Sequence, residues 1–258
     1  ENRGFYLKNF QGNAKVSSKE LLVNDVVIQT LGSDVKLNLH YTYNEWLDYK
    51  EFISNVRMDY ELEQSVVDLK DVAFFAKGLT GLNKKLEISG HVYGSVASLN
   101  ARNIELSFGN ITALSGDIDL DGLPNIQETF LHLNLKDFKT NYSDLVTIPL
   151  PPFSEDKRLK LPSNVATLGT LRFKGSFTGF VNDFVAFGTL QTAIGSLKSD
   201  ISLKQDVASG KLAYNGKLQS FGFDAGKFLE EDRIGKVSLD ASVKGKGLTK
   251  EDMNAVLV

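Results

Sequence analysis

Apolar and polar residues alternate along most of this chain, and the alternation carries a recurrent nine-residue phrase. It reads apolar-x-apolar-x-small-x-apolar-x-small. One copy is Leu86, Ile88, Gly90, Val92 and Gly94; a second is Leu171, Phe173, Gly175, Phe177 and Gly179. A third is Leu212, Tyr214, Gly216, Leu218 and Ser220; a fourth is Val237, Leu239, Ala241, Val243 and Gly245. Period two predicts extended strands with one apolar and one wet face. A small residue inside such a strand thins the apolar face, lets the strand bend, or lets another backbone come close.

Other segments alternate in the same way: Val35–Tyr43, Val56–Leu62, Leu131–Leu135 and Ile201–Leu203. Asp117, Asp119 and Asp121 alternate with Ile118 and Leu120. Half-apolar strands of this kind belong to antiparallel sheets rather than to a buried parallel one. Short helices are predicted after an Asn44 cap over Glu45–Ile53, over Leu69–Lys77 ending at Gly78, and as turns at Tyr142–Val146 and Ala225–Glu230. The fold class is therefore all-β with a few short helices, as a long one-sided antiparallel sheet.

The main irregular stretch, Thr147–Val165, holds Pro149, Pro151, Pro152 and Pro162 and the run Glu155-Asp156-Lys157-Arg158. Proline cannot donate to a sheet ladder, so a loop is expected there. It separates a β-repeat region over residues 1–146 from a second over 166–258, continuous with the first sheet. The phrase recurs unevenly: 85 residues separate Leu86 from Leu171, 41 separate Leu171 from Leu212, and 25 separate Leu212 from Val237. That spacing excludes a tight solenoid and disfavours a propeller.

The 258 residues carry a formal charge of -3 and are 42 % apolar, which places the chain among globular proteins and away from nucleic-acid binders. There is no cysteine, hence no disulfide, thiolate metal site or thiol nucleophile. No segment approaches the length of a membrane span. The chain opens on Glu1 and reads as a piece of a longer protein.

Chemistry-bearing motifs are few. Asp117-x-Asp119-x-Asp121-Gly122 followed by Glu128 satisfies the calcium-loop spacing of an EF-hand. Strand patterns on both sides and Pro124 inside the loop argue for three solvated aspartates instead. His40, His91 and His132 sit on polar strand faces, far apart in sequence. Asn110-Ile111-Thr112 and Asn141-Tyr142-Ser143 match the glycosylation sequon, which matters only in a secreted eukaryotic chain. No catalytic constellation is present, and no cofactor is called for. Trp46 and its helix are expected to cap the end of the sheet.

The run Leu114-Ser115-Gly116-Asp117-Ile118-Asp119-Leu120-Asp121-Gly122-Leu123-Pro124, a leucine-alternating strand, Tyr142-Ser143-Asp144-Leu145, and Leu168–Phe180 carry a resemblance. Phe187–Leu190, Gly195–Leu203 and Gly235–Leu248 continue it. Together they resemble a central segment of the TamB family, in its Bacteroidota-type form, and more distantly AsmA-like proteins. The resemblance implies a long curled antiparallel sheet forming an apolar β-groove, in the periplasm of a Gram-negative bacterium and in a protein anchored in the inner membrane. It implies passage of phospholipid to the outer membrane and a role in outer-membrane biogenesis. It also implies an outer-membrane partner of the BamA/TamA type, met through regions outside this chain, and no catalytic residue. The groove-lining candidates are Leu86, Ile88, Val92, Leu131, Leu133, Leu135, Leu171, Phe173, Phe177, Leu190, Ile201, Leu203, Leu212, Tyr214, Leu218, Val237, Leu239 and Val243. A closed sandwich or barrel core has the same sequence pattern. The competing functional readings are a non-conducting structural or assembly scaffold for outer-membrane proteins and a surface-exposed β-sandwich adhesin or carbohydrate binder.

Overall fold

The computed structural model describes residues 5–150, 153, 158–205, 212–247 and 254–257. Pro151, Pro152 and the charged run Glu155-Asp156-Lys157 lie outside them. Fourteen antiparallel strands lie in the sheet in chain order: β1 Asn9–Val16, β2 Glu20–Gln29, β3 Asp34–Thr42, β4 Arg57–Asp68, β5 Lys85–Gly94, β6 Ser98–Phe108, β7 Thr112–Asp121, β8 Phe130–Asn141, β9 Thr170–Phe180, β10 Asp183–Thr192, β11 Gly195–Gln205, β12 Leu212–Asp224, β13 Lys236–Lys246 and β14 Asn254–Leu257. Among the described residues β1 and β14 are the two edges of this order. The short helices are α1 Phe52–Asn55, α2 Leu69–Phe75, α3 Tyr142–Leu145 and α4 Ala225–Leu229, with 3-10 turns at Trp46–Glu51, Lys77–Leu79 and Ser163–Leu168. None of the described helices is long and apolar enough to cross a membrane.

The chain packs as two units. One holds Glu1–Phe108, Leu114–Phe130 and Pro149–Lys157; the other holds Gly109–Ala113, Leu131–Ile148 and Arg158–Val258. The four phrase copies are β5, β9, β12 and β13. A helix follows every fourth strand: α2 after β4, α3 after β8, α4 after β12. Leu86, Leu171 and Val237 thus open the first strands of successive repeats, whereas Leu212 opens a fourth strand. The uneven spacing of the phrase comes from mixing these two places in the repeat.

The last residue of each fourth strand starts the helix. Asp68 accepts a hydrogen bond from Lys70 N–H, Asn141 from Asp144 N–H and Asp224 from Lys227 N–H, which satisfies amides a helix start leaves free. Three residues on, a second carboxylate reaches back to a hairpin turn. Asp71 accepts from Thr30 Oγ1 at 2.5 Å and Ser33 Oγ at 2.6 Å, on the β2–β3 turn. Asp144 does the same for the β6–β7 turn. It takes the backbone N–H groups of Asn110, Ile111 and Thr112 and the Thr112 hydroxyl at 2.8 Å, and Thr112 Oγ1 lies 2.8 Å from Thr140 Oγ1. Burial alone would raise the Asp144 carboxyl; the hydrogen bonds from Ile111, Asn110 and Thr112 outweigh it and hold the group at about 2. Both sequons are spent in this arrangement, with the Asn110 amide on Asp144 and Asn141 capping α3. In the third repeat Lys227 stands where Asp71 and Asp144 do, and Thr192 closes its own turn on Gly195 O at 2.7 Å.

Asn44 does not cap its helix. The Asp48 carboxylate reaches back to the N–H groups of Asn44 at 2.7 Å and Glu45 at 3.2 Å, so the capping group sits inside the turn rather than before it. α2 ends at Phe75, ahead of Gly78, with Ala76 N–H bonded to Val72 O.

Bulges interrupt the first unit in alternate strands: the register shifts at Gln11/Asn13 and Val23/Val26, at Asp34/Leu37 and Leu62/Ser65, and at Ser89/His91 put an extra residue on β2, β4 and β6. Each bulge bends its strand and increases local twist. Amides freed by the bulges find side chains on the next strand: Asp25 N–H bonds Asn38, Lys36 N–H bonds Ser65 and Asn103 N–H bonds Asp117, each at 2.9 Å.

Candidate functional site: two apolar sheet faces

Residues directly opposite in a ladder point to the same face, so register assigns the faces. In the second unit one transverse row reads Leu133, Phe177, Ala186, Ile201, Gly216 and Val243. The next reads Leu131, Gly179, Phe184, Leu203, Tyr214 and Gly245. A third runs from Phe173 through Leu190, Leu197 and Ser220 to Leu239. Leu135, Leu171, Leu212, Leu218 and Val237 follow by alternation on β8, β9, β12 and β13. All fifteen candidates from Leu131 to Val243 therefore share one face of this unit.

In the first unit, Leu86, Ile88 and Val92 share a face with Val67, Ser65 and Tyr60 on β4 and, beyond the bulge, with Leu106 and Ala101 on β6. Sequence reasoning left out most of this face. Leu37, Leu39, Tyr41, Met58 and Tyr60 stand on it as well, and their alternation was the available signal. None of the positions assigned here carries a charged side chain, whereas the opposite faces carry cross-strand pairs such as His91–Asp59 at 2.9 Å and Arg102–Asp119 at 2.6 Å.

Burial divides the second face along its length. At the end where α3, α4 and the Ser163–Leu168 turn gather, Leu171, Val165, Leu168 and Phe223 form a buried cluster, with Leu190, Leu197, Leu145 and Phe228 packed against it. Leu171 and Leu190 are thus core residues of that capped end. Away from it Leu135, Phe173 and Val243 are buried. Leu131, Leu133, Phe177, Ile201, Leu203, Leu212, Tyr214, Leu218, Val237 and Leu239 stay half-buried, as do Leu86, Ile88 and Val92 in the first unit. Two glycines on this face lie under aromatic rings, Gly188 on β10 and the phrase glycine Gly245 on β13. A methyl group on Gly188 would meet the Phe173 ring at 2.7 Å, and one on Gly245 would meet the Tyr214 ring at 2.8 Å.

An aromatic group closes one end of the first face. Tyr41 meets Phe52 edge-on at 5.6 Å, and Tyr43, Trp46 and Tyr49 pack together, with Tyr43–Tyr49 at 5.0 Å. The Tyr41 and Tyr60 hydroxyls lie 2.6 Å apart, and burial pushes both phenols above the usual range, so both stay protonated. Tyr49 Oη is buried with no hydrogen-bond partner among the described residues, while the Tyr43 hydroxyl donates to Ser17 O.

The calcium spacing dissolves into β7. Asp117 holds the Asn103 amide, Asp119 pairs with Arg102 and Asp121 accepts from Ser98 Oγ at 2.6 Å, so each carboxylate serves a different partner on β6. Among the described residues no group of three or more His, Asp or Glu side chains is arranged to hold a metal ion. His40 faces Glu20, His91 faces Asp59, and His132 faces Thr178 at 2.9 Å. Comparison with family models, curated proteins and solved structures finds no match to this chain.

Proposed function

We propose that the two apolar faces seat acyl chains, and that the chain is a segment of a TamB-like periplasmic bridge carrying phospholipid between inner and outer membranes. The observation that supports this is that the assigned positions carry no charge over successive strands and, Leu135, Phe173 and Val243 apart, stay half-buried away from the capped end. Monomeric proteins rarely expose large contiguous apolar patches without a partner for them. Tails gain about 0.8 kcal/mol for each methylene taken from water, and the absence of charge along the face leaves headgroups in solvent. The reading needs no catalytic residue. Its partners are phospholipid and, through regions outside this chain, an outer-membrane protein of the BamA/TamA type.

Phe173 is too buried to report on a bound chain, so the test uses Phe177. A photo-crosslinking residue at Phe177 should capture phospholipid in cells well above one at Lys174, on the opposite face of the same strand. Equal yields at the two positions would rule the reading out.

A further inference from the structure

Charge is divided unevenly between the two units. Strands β4–β7 carry nine acidic and three basic side chains, whereas β8–β11 carry three acidic and six basic. The basic set gathers on the face opposite the apolar one. Lys139 stands directly across the β8–β9 ladder from Arg172, and Lys174 and Lys198 flank Thr189 from either side of β10. Like charges opposed in a ladder cost stability, and among the described residues none of these four cations has an ion-pair partner. Phe187, 52 % exposed, lies beside them on the same face of β10. The wet face of the first unit is the complement. Glu61 on β4, Glu87 on β5 and Glu105 on β6 are exposed there, and Val66, 36 % exposed, lies directly opposite Glu87. Glu87 accepts from the Ser107 hydroxyl, and Glu105 has no partner among the described residues. Lys85 on that face stands opposite Asp68.

We propose that the basic face of the second unit docks on the acidic face of the first unit in a second copy of this chain. The argument is charge complementarity: unpaired cations on one face match exposed carboxylates on the other, with an exposed apolar side chain beside each set. An added peptide strand is a poor occupant, because β9 and β10 are paired on both sides and offer no free ladder edge. The two faces differ, so the contact is heterologous, and each copy brings both halves of it. Exposed charges attract weakly and are screened, so the association falls as salt rises. The proposal does not rest on lipid carriage, which concerns the opposite faces.

The test is a charge swap in the full chain, read by sedimentation velocity at low ionic strength. One variant carries Arg172→Glu with Lys174→Glu, the other Glu87→Lys with Glu105→Lys; all four positions are exposed. The parent should self-associate and come apart as salt is added. Each variant alone should associate at least about tenfold more weakly than the parent. An equimolar mixture of the two should recover the association, because each then offers the face the other has lost. Should a reversal impair folding, Arg172→Gln with Lys174→Gln reads the loss by itself. A parent that stays monomeric, variants that associate as the parent does, or a mixture that stays apart would overturn the proposal. Binding of poly-glutamate through Arg172 and Lys174 by a monomeric parent would assign the basic face to an acidic polypeptide and overturn it too.

Discussion

Gly175 and Gly188 face each other across the β9–β10 ladder, and the ring of Phe173 lies over the space they leave. The pair lets the two backbones and the ring approach at once. A methyl on Gly188 would stand 2.4 Å from Lys174 O and 2.8 Å from Gly175 Cα, so neither rotation of Phe173 nor a change of rotamer relieves it. Gly188→Ala is expected to destabilise the chain by about 1–3 kcal/mol in denaturant unfolding. Gly235→Ala, where no atom lies within 4 Å, is the control and should stay within about 0.5 kcal/mol.

Asp144 makes stability depend on pH in a defined window. Its carboxyl is held at about 2 in the folded chain, below the roughly 3.9 of an unfolded one. A depressed folded value means the stabilisation is fully present above the unfolded value and fades as pH falls toward 2. Asp144→Ala should therefore remove roughly 2–3 kcal/mol at neutral pH by leaving three amides and a hydroxyl without their acceptor. The gap between variant and parent should close on acidification. A gap that is constant between pH 6 and pH 2 would place the effect elsewhere.

The repeat makes a positional forecast. Asp71→Ala strips the acceptor from the buried hydroxyls of Thr30 and Ser33 and should lower stability by about 2 kcal/mol. Lys227→Ala, at the same place in the third repeat, removes an exposed side chain and should change it by less than about 0.5 kcal/mol. Thermal unfolding of the two variants beside the parent decides this.

Tyr49→Phe should be neutral or stabilise by up to about 1 kcal/mol, because its hydroxyl is buried without a partner among the described residues. Tyr60→Phe should do the reverse, since it leaves the Tyr41 hydroxyl without the group 2.6 Å away. Calorimetry on the two single variants separates the cases.

The strands were legible where alternation keeps its phase, as in β5, β9 and β13. They were obscured where a bulge flips it. On β2 the inward residues are Leu21 and Val23, then Val26 and Ile28; on β6 they are Leu99 and Ala101, then Ile104 and Leu106. In each case one extra residue, Asp25 or Asn103, moves the apolar set from odd to even positions. β10 was hidden differently: Val185 and Phe187 are exposed on its other face and blur its inward set of Phe184, Ala186 and Leu190. The carboxylate clasps were invisible for a reason of distance, because Asp71 and Thr30 are 41 residues apart. Their local trace, an Asp or Asn ending a strand with Asp three residues later, was available at Asp68-Leu69-Lys70-Asp71 and Asn141-Tyr142-Ser143-Asp144.

Strand order that follows chain order has a consequence for growth. Each strand finds its ladder partner in its immediate predecessor, so no pairing waits for a distant part of the chain to arrive. Such a topology allows assembly like a woven band, row upon row, as the chain emerges. Duplicating four strands with their helix would lengthen it without rewiring any pairing already made, which leaves its reach open to evolutionary adjustment in steps of one repeat.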